Sequence, residues 1–183
     1  MNYFIDIKLM SSKEIQENIL LNQLYTNFHK RLYDLKADNI GVSFPRYKLK
    51  LGDVFRIHGE QKDLECLQKQ NWLGELSKFC LVNIITEIPN NTQYRIVSRV
   101  QTTMSQSKLR RLIKRGTIKE EEIKGYKAKL FQKSLDNPFV ELRSMSNGER
   151  HRRFINFSTL VNNQVTGTFD TFGLSKKATV PWF

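Results

Sequence analysis

Few side chains in this sequence can move a proton near neutral pH. There are three histidines, His29, His58 and His151, and two cysteines, Cys66 and Cys80. No HxxxH, HExxH or CxxC spacing links them, no acidic cluster suggests a two-metal site, and no glycine-rich phosphate loop is present. Neither a metal nor an organic cofactor is expected. What the chain has in quantity is positive charge: 30 Lys and Arg against 18 Asp and Glu, a net of +12 over 183 residues. Metal-free RNA cleavage would need little more. A histidine takes or aligns the 2′-hydroxyl proton, the 2′-oxygen attacks the adjacent phosphate, and a 2′,3′-cyclic phosphate is left.

The candidates differ by position. His29 falls on the helical row Leu21, Tyr25, His29, Tyr33, beside an apolar stripe. That edge can reach a cleft, or hold a half-buried histidine that fills the rim of a core; position alone leaves both open. His58 ends a strand before Gly59 and is expected at the surface. His151 lies among Arg150, Arg152 and Arg153, cations that would depress its pKa. Ser144 and Ser146, beside the turn signal Ser146-Asn147-Gly148, could bond a ribose hydroxyl or simply serve the turn.

The charge is concentrated. Residues 1–94 hold 12 Lys/Arg and 11 Asp/Glu, residues 95–153 hold 16 and 6, and residues 154–183 hold two and one. Nearly all the excess lies in the middle segment, as an electrostatic footprint for a polyanion would. Within it, Arg110, Arg111, Lys114 and Arg115 cover an arc of about 140° on one helix, with Leu109, Leu112 and Ile113 left to face the protein. Gly116 suits the end of that helix, and Thr117 with Glu120 resembles a capping box for a second helix at 118–133. The alternative is a charged, solvated face on a two-helix unit.

These groups need a scaffold. Tyr3 to Leu9 alternates as a strand, and Ser11 or Ser12 can cap the helix that follows. That helix carries Leu20, Leu24, Phe28, Leu32 and Leu35 at helical spacing and runs to about Lys36. Strands are expected at Ile40–Phe44, Asp53–His58 and Leu81–Ile85, with a helix at 61–71. The order is the βαββαβ of a ferredoxin-like (RRM-like) domain, one sheet face under two helices and the other open. The aromatic motifs of an ordinary RRM are not evident. Pro89-Asn90-Asn91 marks a boundary, dividing the chain into residues 1–90 and 91–183. The second part carries strand signals at Tyr94–Thr102, Phe139–Met145 and Arg152–Phe157, and an aromatic tail with Phe169, Phe172, Trp182 and Phe183 that can pack on the body or stack bases. The fold class is α+β. No apolar run approaches the roughly 18 residues of a membrane span, and the expected compartment is the cytoplasm.

Several segments together resemble the type I-F CRISPR repeat-processing endoribonucleases. They are Tyr3 to Ile7, Phe28-His29-Lys30-Arg31-Leu32, Gly41 to Pro45, Tyr94 through Ser98-Arg99-Val100-Gln101, and the Arg110-Arg111 helix. Leu142 to Ser146, Phe172 to Lys176 and Val180 to Phe183 complete the set, in order over essentially the whole length. The resemblance implies a ferredoxin-like domain followed by an α+β domain with an arginine-rich helix. It implies binding of the CRISPR repeat stem-loop in precursor RNA, metal-independent cleavage at the 3′ base of the stem, and retention of the mature guide-RNA hairpin within a surveillance complex of further subunits, the protein itself being monomeric. His29 matches the catalytic histidine, Ser144 the serine that pins the ribose, and Ser146 a supporting serine. Arg99 and Gln101 match the pair that reads the stem foot; Arg110, Arg111, Lys114 and Arg115 match the groove-entering helix. Phe172 stands where some members carry a tyrosine; it can stack on histidine but offers no hydroxyl. A non-catalytic RNA-hairpin-binding subunit of a ribonucleoprotein is the alternative.

Overall fold

The computed structural model describes residues 1–12, 15–100, 106–132, 136–143 and 148–183. Strand β1 (Tyr3–Leu9) leads to helix α1 (Glu17–Leu35), followed by β2 (Gly41–Ser43), β3 (Val54–Gly59), α2 (Gln61–Lys69), a 3-10 turn (Gly74–Phe79) and β4 (Cys80–Val82). These strands form a sheet in the order β2-β3-β1-β4, all antiparallel, with the short β5 (Thr86–Glu87) on the same edge of β1. Alternation along β1 and β3 sends Ile5, Ile7, Phe55 and Ile57 to the helical side, where they are buried with Leu20, Leu24, Phe28 and Leu32 of α1.

The second half begins with β6 (Gln93–Arg95) and β7 (Val97–Val100), then α3 (Gln106–Lys114), α4 (Glu120–Gln132), β8 (Phe139–Arg143), β9 (Arg150–Phe157) and β10 (Val180–Trp182). A three-stranded sheet runs β7-β9-β8, and β10 pairs with β6. The expected strand at 94–102 is therefore broken between two sheets; its positions beyond 100 lie outside the described residues. The break falls at Ile96, whose N–H donates to Ser158 Oγ, while the guanidinium of Arg95 donates to the Ser158 carbonyl. Both halves contribute to one continuous apolar core, from Ile5 and Phe28 to Val140 and Ile155.

Other expectations are corrected. The outer face of the first sheet is covered rather than open: all six residues of β3 are buried. The C-terminal tail does this, with Val180 and Phe169 against Gly41 and Phe183 edge-on to Phe4. Arg56 secures it by gripping Asp6 through two bonds of 2.6 and 2.9 Å and donating to the Phe183 carbonyl. Its guanidinium also lies 3.9 Å from the Phe183 ring centroid. His58 consequently has no exposure; its Nε2 lies 2.8 Å from Ser43 Oγ. Burial, with Arg56 nearby, pushes its pKa well down.

The start of α1 also moves. Ser12 Oγ accepts from the Ile15 N–H, and the helix begins later, with Gln16 at its N-cap. The Thr117–Glu120 capping box does not form: Thr117 Oγ1 donates to the Leu112 carbonyl, and Glu122 accepts from the Lys119 N–H. The aromatic tail packs inward, with Trp182 against Tyr47 and Phe157.

Candidate active site

The site forms where α1 meets the β7-β9-β8 sheet. Asn22 of α1 accepts the Glu141 N–H through its side-chain oxygen at 2.8 Å, tying helix to sheet. The register pairs Arg99 with Ile155, Val140 with Arg153 and Leu142 with His151. Paired residues share a face, so Arg99, His151, Arg153 and Ile155 stand on one side with Val140 and Leu142. The buried Val140, Leu142 and Ile155 identify it as the core side. Arg150 and Arg152, of opposite parity, lie on the other side against Glu141.

A short loop completes the site. Asp170 Oδ1 accepts the N–H groups of Phe172 and Leu174, and its carbonyl accepts from Gly173. Gly173 has φ +69°, and a Cβ there would come within 2.8 Å of Val42 Cγ1, so only glycine fits without displacement. The loop is fastened on three sides. Tyr25 Oη donates to the Phe172 carbonyl at 2.9 Å, Val42 N–H to the Gly173 carbonyl, and Ser175 N–H to the Val97 carbonyl.

This loop fixes His29 in two ways. Its Nδ1 lies 2.9 Å from the Thr171 carbonyl oxygen. A carbonyl only accepts, so Nδ1 carries the proton, and in the neutral ring Nε2 is left with its lone pair. The imidazole also lies flat on Phe172, with centroids 3.5 Å apart and planes 12° apart. Half-burial pushes the His29 pKa down, and Arg153 and His151 act the same way; the Thr171 bond and Asp170 oppose them. Burial likewise lowers His151, followed by Arg153 and Arg99.

A cleft of about 800 Å³ opens beside the cluster, with Arg99, Arg153, Ser175, Lys176 and Lys177 in its lining. Four cations there face one carboxylate, Asp170, so the cleft suits an anionic backbone. His29, Phe172 and Arg99 are therefore gathered within one cluster. Gln101, Ser144 and Ser146 lie outside the described residues.

The arginine helix is a separate feature. Arg110, Arg111 and Lys114 are exposed on α3 and Arg115 in the turn just after it, while Leu109 is buried. Ile113, expected to face the protein, is 47% exposed, although it shares a helix face with the buried Leu109. Gly116, at φ +65°, closes α3 with a Schellman arrangement: Thr117 N–H to the Leu112 carbonyl and Gly116 N–H to the Ile113 carbonyl.

Sequence reasoning missed Arg153, Asp170 and Thr171. Arg153 differs from its neighbours Arg150 and Arg152 only in strand parity, which places it with His151 on the core side. Asp170 with Gly173 is a readable turn signal. Thr171 contributes a backbone carbonyl, which no side-chain pattern announces.

A family profile described as CRISPR-associated protein (Cas_Csy4) matches residues 4–183. The chain belongs to the Csy4 family of CRISPR-associated proteins. It is 32% identical over 184 residues to the CRISPR-associated endonuclease Cas6/Csy4 of Escherichia coli (strain UTI89 / UPEC), covering all of both chains. It is 36% identical over 187 residues to the protein of the same description from Pseudomonas aeruginosa (strain UCBPP-PA14), again over the full length of both. Among the described residues, no three His, Cys, Asp or Glu side chains gather as a metal site would require. Nor is any helix among them long and apolar enough to cross a membrane.

Proposed function

We propose that this protein is an endoribonuclease that binds the CRISPR repeat stem-loop in precursor RNA and cuts once at the 3′ base of the stem. His29 Nε2 accepts or aligns the proton of the 2′-hydroxyl. The 2′-oxygen attacks the adjacent phosphorus, the P–O5′ bond breaks, the leaving 5′-oxygen takes a proton from water, and the products carry a 2′,3′-cyclic phosphate and a 5′-hydroxyl. Developing negative charge meets the cations around the cleft. Family membership supports the RNA substrate. The observation that carries the chemistry is the His29–Thr171 bond, which leaves a basic Nε2 on a ring held neutral by its surroundings.

The remaining residues divide the work. Ser144 pins the attacking ribose and Ser146 supports it; Arg99 and Gln101 read the stem foot. Arg110, Arg111, Lys114 and Arg115 grip phosphates and groove edges, supported by their exposure on a well-closed helix. The β2-β3-β1-β4 order supports a ferredoxin-like first domain at residues 1–90, followed by an RNA-binding domain at 91–183. The protein acts as a monomer without metal or cofactor in the cytoplasm, keeps the product hairpin, and joins the other subunits of the type I-F surveillance complex.

Incubation of the purified protein with a repeat hairpin in EDTA tests this reading. A single cut leaving a cyclic phosphate is expected. Hairpin bound tightly but left intact would establish the RNA-binding subunit instead.

A further inference from the structure

Phe172 is covered on both faces. The His29 ring centroid lies 3.5 Å from its centroid, and the guanidinium carbon of Arg153 lies 3.4 Å from the same point. Two groups at that height over the ring centre cannot share a face, so imidazole, phenyl and guanidinium form a three-layer stack. We propose that Arg153 is a positioning residue for His29, acting through Phe172: it clamps the far face of the ring on which the catalytic imidazole is seated. The proposal rests on the role given to His29 above.

Phe172 is joined to α1 by its carbonyl, through Tyr25, but its ring projects from a loop and could tilt about its side-chain torsions. A planar guanidinium against the far face removes that freedom, so the imidazole meets a fixed plane. The Thr171 carbonyl then sets how the imidazole is turned within that plane. Arg153 is itself well placed to serve. Its side chain is 8% exposed, it sits on the middle strand of its sheet, and it lies only 3.9 Å from Asp170 of the same loop. Its Nε has no hydrogen-bond partner, so the position is not explained by hydrogen bonding alone.

The charge matters as well as the shape. The two 3.4–3.5 Å layers put the guanidinium about 7 Å from the imidazole, close enough for a partly buried cation to disfavour a second one. The charged and titratable groups facing His29 are Arg153 and His151 from β9 and Asp170 from the loop. Asp170 favours the imidazolium, and Arg153 opposes it. An apolar residue in place of Arg153 would leave Asp170 opposed only by the weaker effect of His151, and the proton acceptor would be lost at a higher pH.

The test compares wild type with Arg153→Met, which keeps length without charge, and Arg153→Lys, which keeps charge without the flat face. His29 is followed by NMR in the free protein, reading its titration and the ring-current shift from Phe172. Single-turnover cleavage of a repeat hairpin is measured from pH 5.5 to 8.5, alongside affinity for a hairpin with a 2′-deoxy cleavage site. In Arg153→Met, His29 should titrate at higher pH, and cleavage at pH 6 should fall at least about threefold more than at pH 8. In Arg153→Lys, the titration should stay near wild type while the ring-current shift shrinks and the rate falls across the whole range. Hairpin affinity should fall less than the cleavage rate in either, because Arg153 offers the cleft a side chain only 8% exposed. An unchanged His29 titration and ring-current shift in both variants overturns the proposal, as does a loss confined to affinity, which would make Arg153 an RNA contact. The NMR arm needs no RNA, so it stands even if wild type fails to cut the hairpin.

Discussion

The Nδ1 of His29 lies 2.9 Å from the backbone carbonyl of Thr171. Two residues 142 positions apart are thus joined by one bond, and that bond fixes which imidazole nitrogen is free. The arrangement resembles the orienting group of other proton-transfer sites, with a backbone carbonyl in place of a carboxylate. The carbonyl turns the ring and favours its cation, but burial outweighs it and keeps the pKa low. Such an arrangement suits a group that must remain neutral until it receives a proton.

Replacing His29 with alanine should separate cleavage from binding. Single-turnover cleavage of a repeat hairpin should fall by about 10²–10⁴-fold, while affinity for the 2′-deoxy hairpin changes less than about threefold. Cleavage at the wild-type rate would remove His29 from the mechanism.

The pH dependence follows from the direction of the His29 shift. Its pKa is lowered, chiefly by burial, so the neutral acceptor persists below the ordinary histidine value of 6.5. Log rate plotted against pH should therefore stay flat through pH 6.5 and bend down only in more acidic solution. An acid limb that begins above pH 7 would contradict the geometry described here.

Phe172→Leu removes the ring on which His29 lies but keeps an apolar side chain. The imidazole then keeps its Thr171 bond and loses its plane, and the rate should fall about 10–100-fold with little change in hairpin affinity. Rapid-quench kinetics and filter binding measure the two quantities.

Arg111→Ala should act on affinity rather than on chemistry. Helix α3 exposes Arg111 to solvent, so its loss should weaken hairpin binding and reduce the slope of log K against log salt by about one. Saturating protein should restore the wild-type cleavage rate.

Stability should depend on His58. Its folded pKa lies well below the ordinary value, so the unfolded chain binds the extra proton first as pH falls. The contribution of neutral His58 is therefore complete above about pH 6.5 and declines toward the depressed folded pKa. His29 and His151 shift in the same direction, so all three weaken the fold in acid. Urea midpoints should drop between pH 7 and pH 5, and the drop should be shallower in His58→Asn.

Much of the scaffold is local physics. The stripe Leu20, Leu24, Phe28, Leu32 can bury one face only as a helix, and the alternation of Tyr3 to Leu9 works only as a strand; both form as expected. The cationic arc of α3 and its closure at Gly116 are also properties of a few consecutive residues. His29 could be placed on a helix edge by counting turns. Whether that edge was a site or a rim was not a local question.

Tertiary structure decides what surrounds that edge, and much else besides. His58 reads as the end of a strand before a glycine, yet it is buried because a tail more than 100 residues away covers its sheet. Arg153 reads as one of three similar arginines, yet its pairing with Val140 turns it inward, onto Phe172. Helical and strand periods act over neighbours within a few residues, so the sequence alone determined the elements, the charge and the inventory of chemical groups. The loop at 170–174 is held against His29 by bonds to α1, β2 and the β7 residue Val97, and such long-range hydrogen bonds and packing have no signature in spacing along the chain.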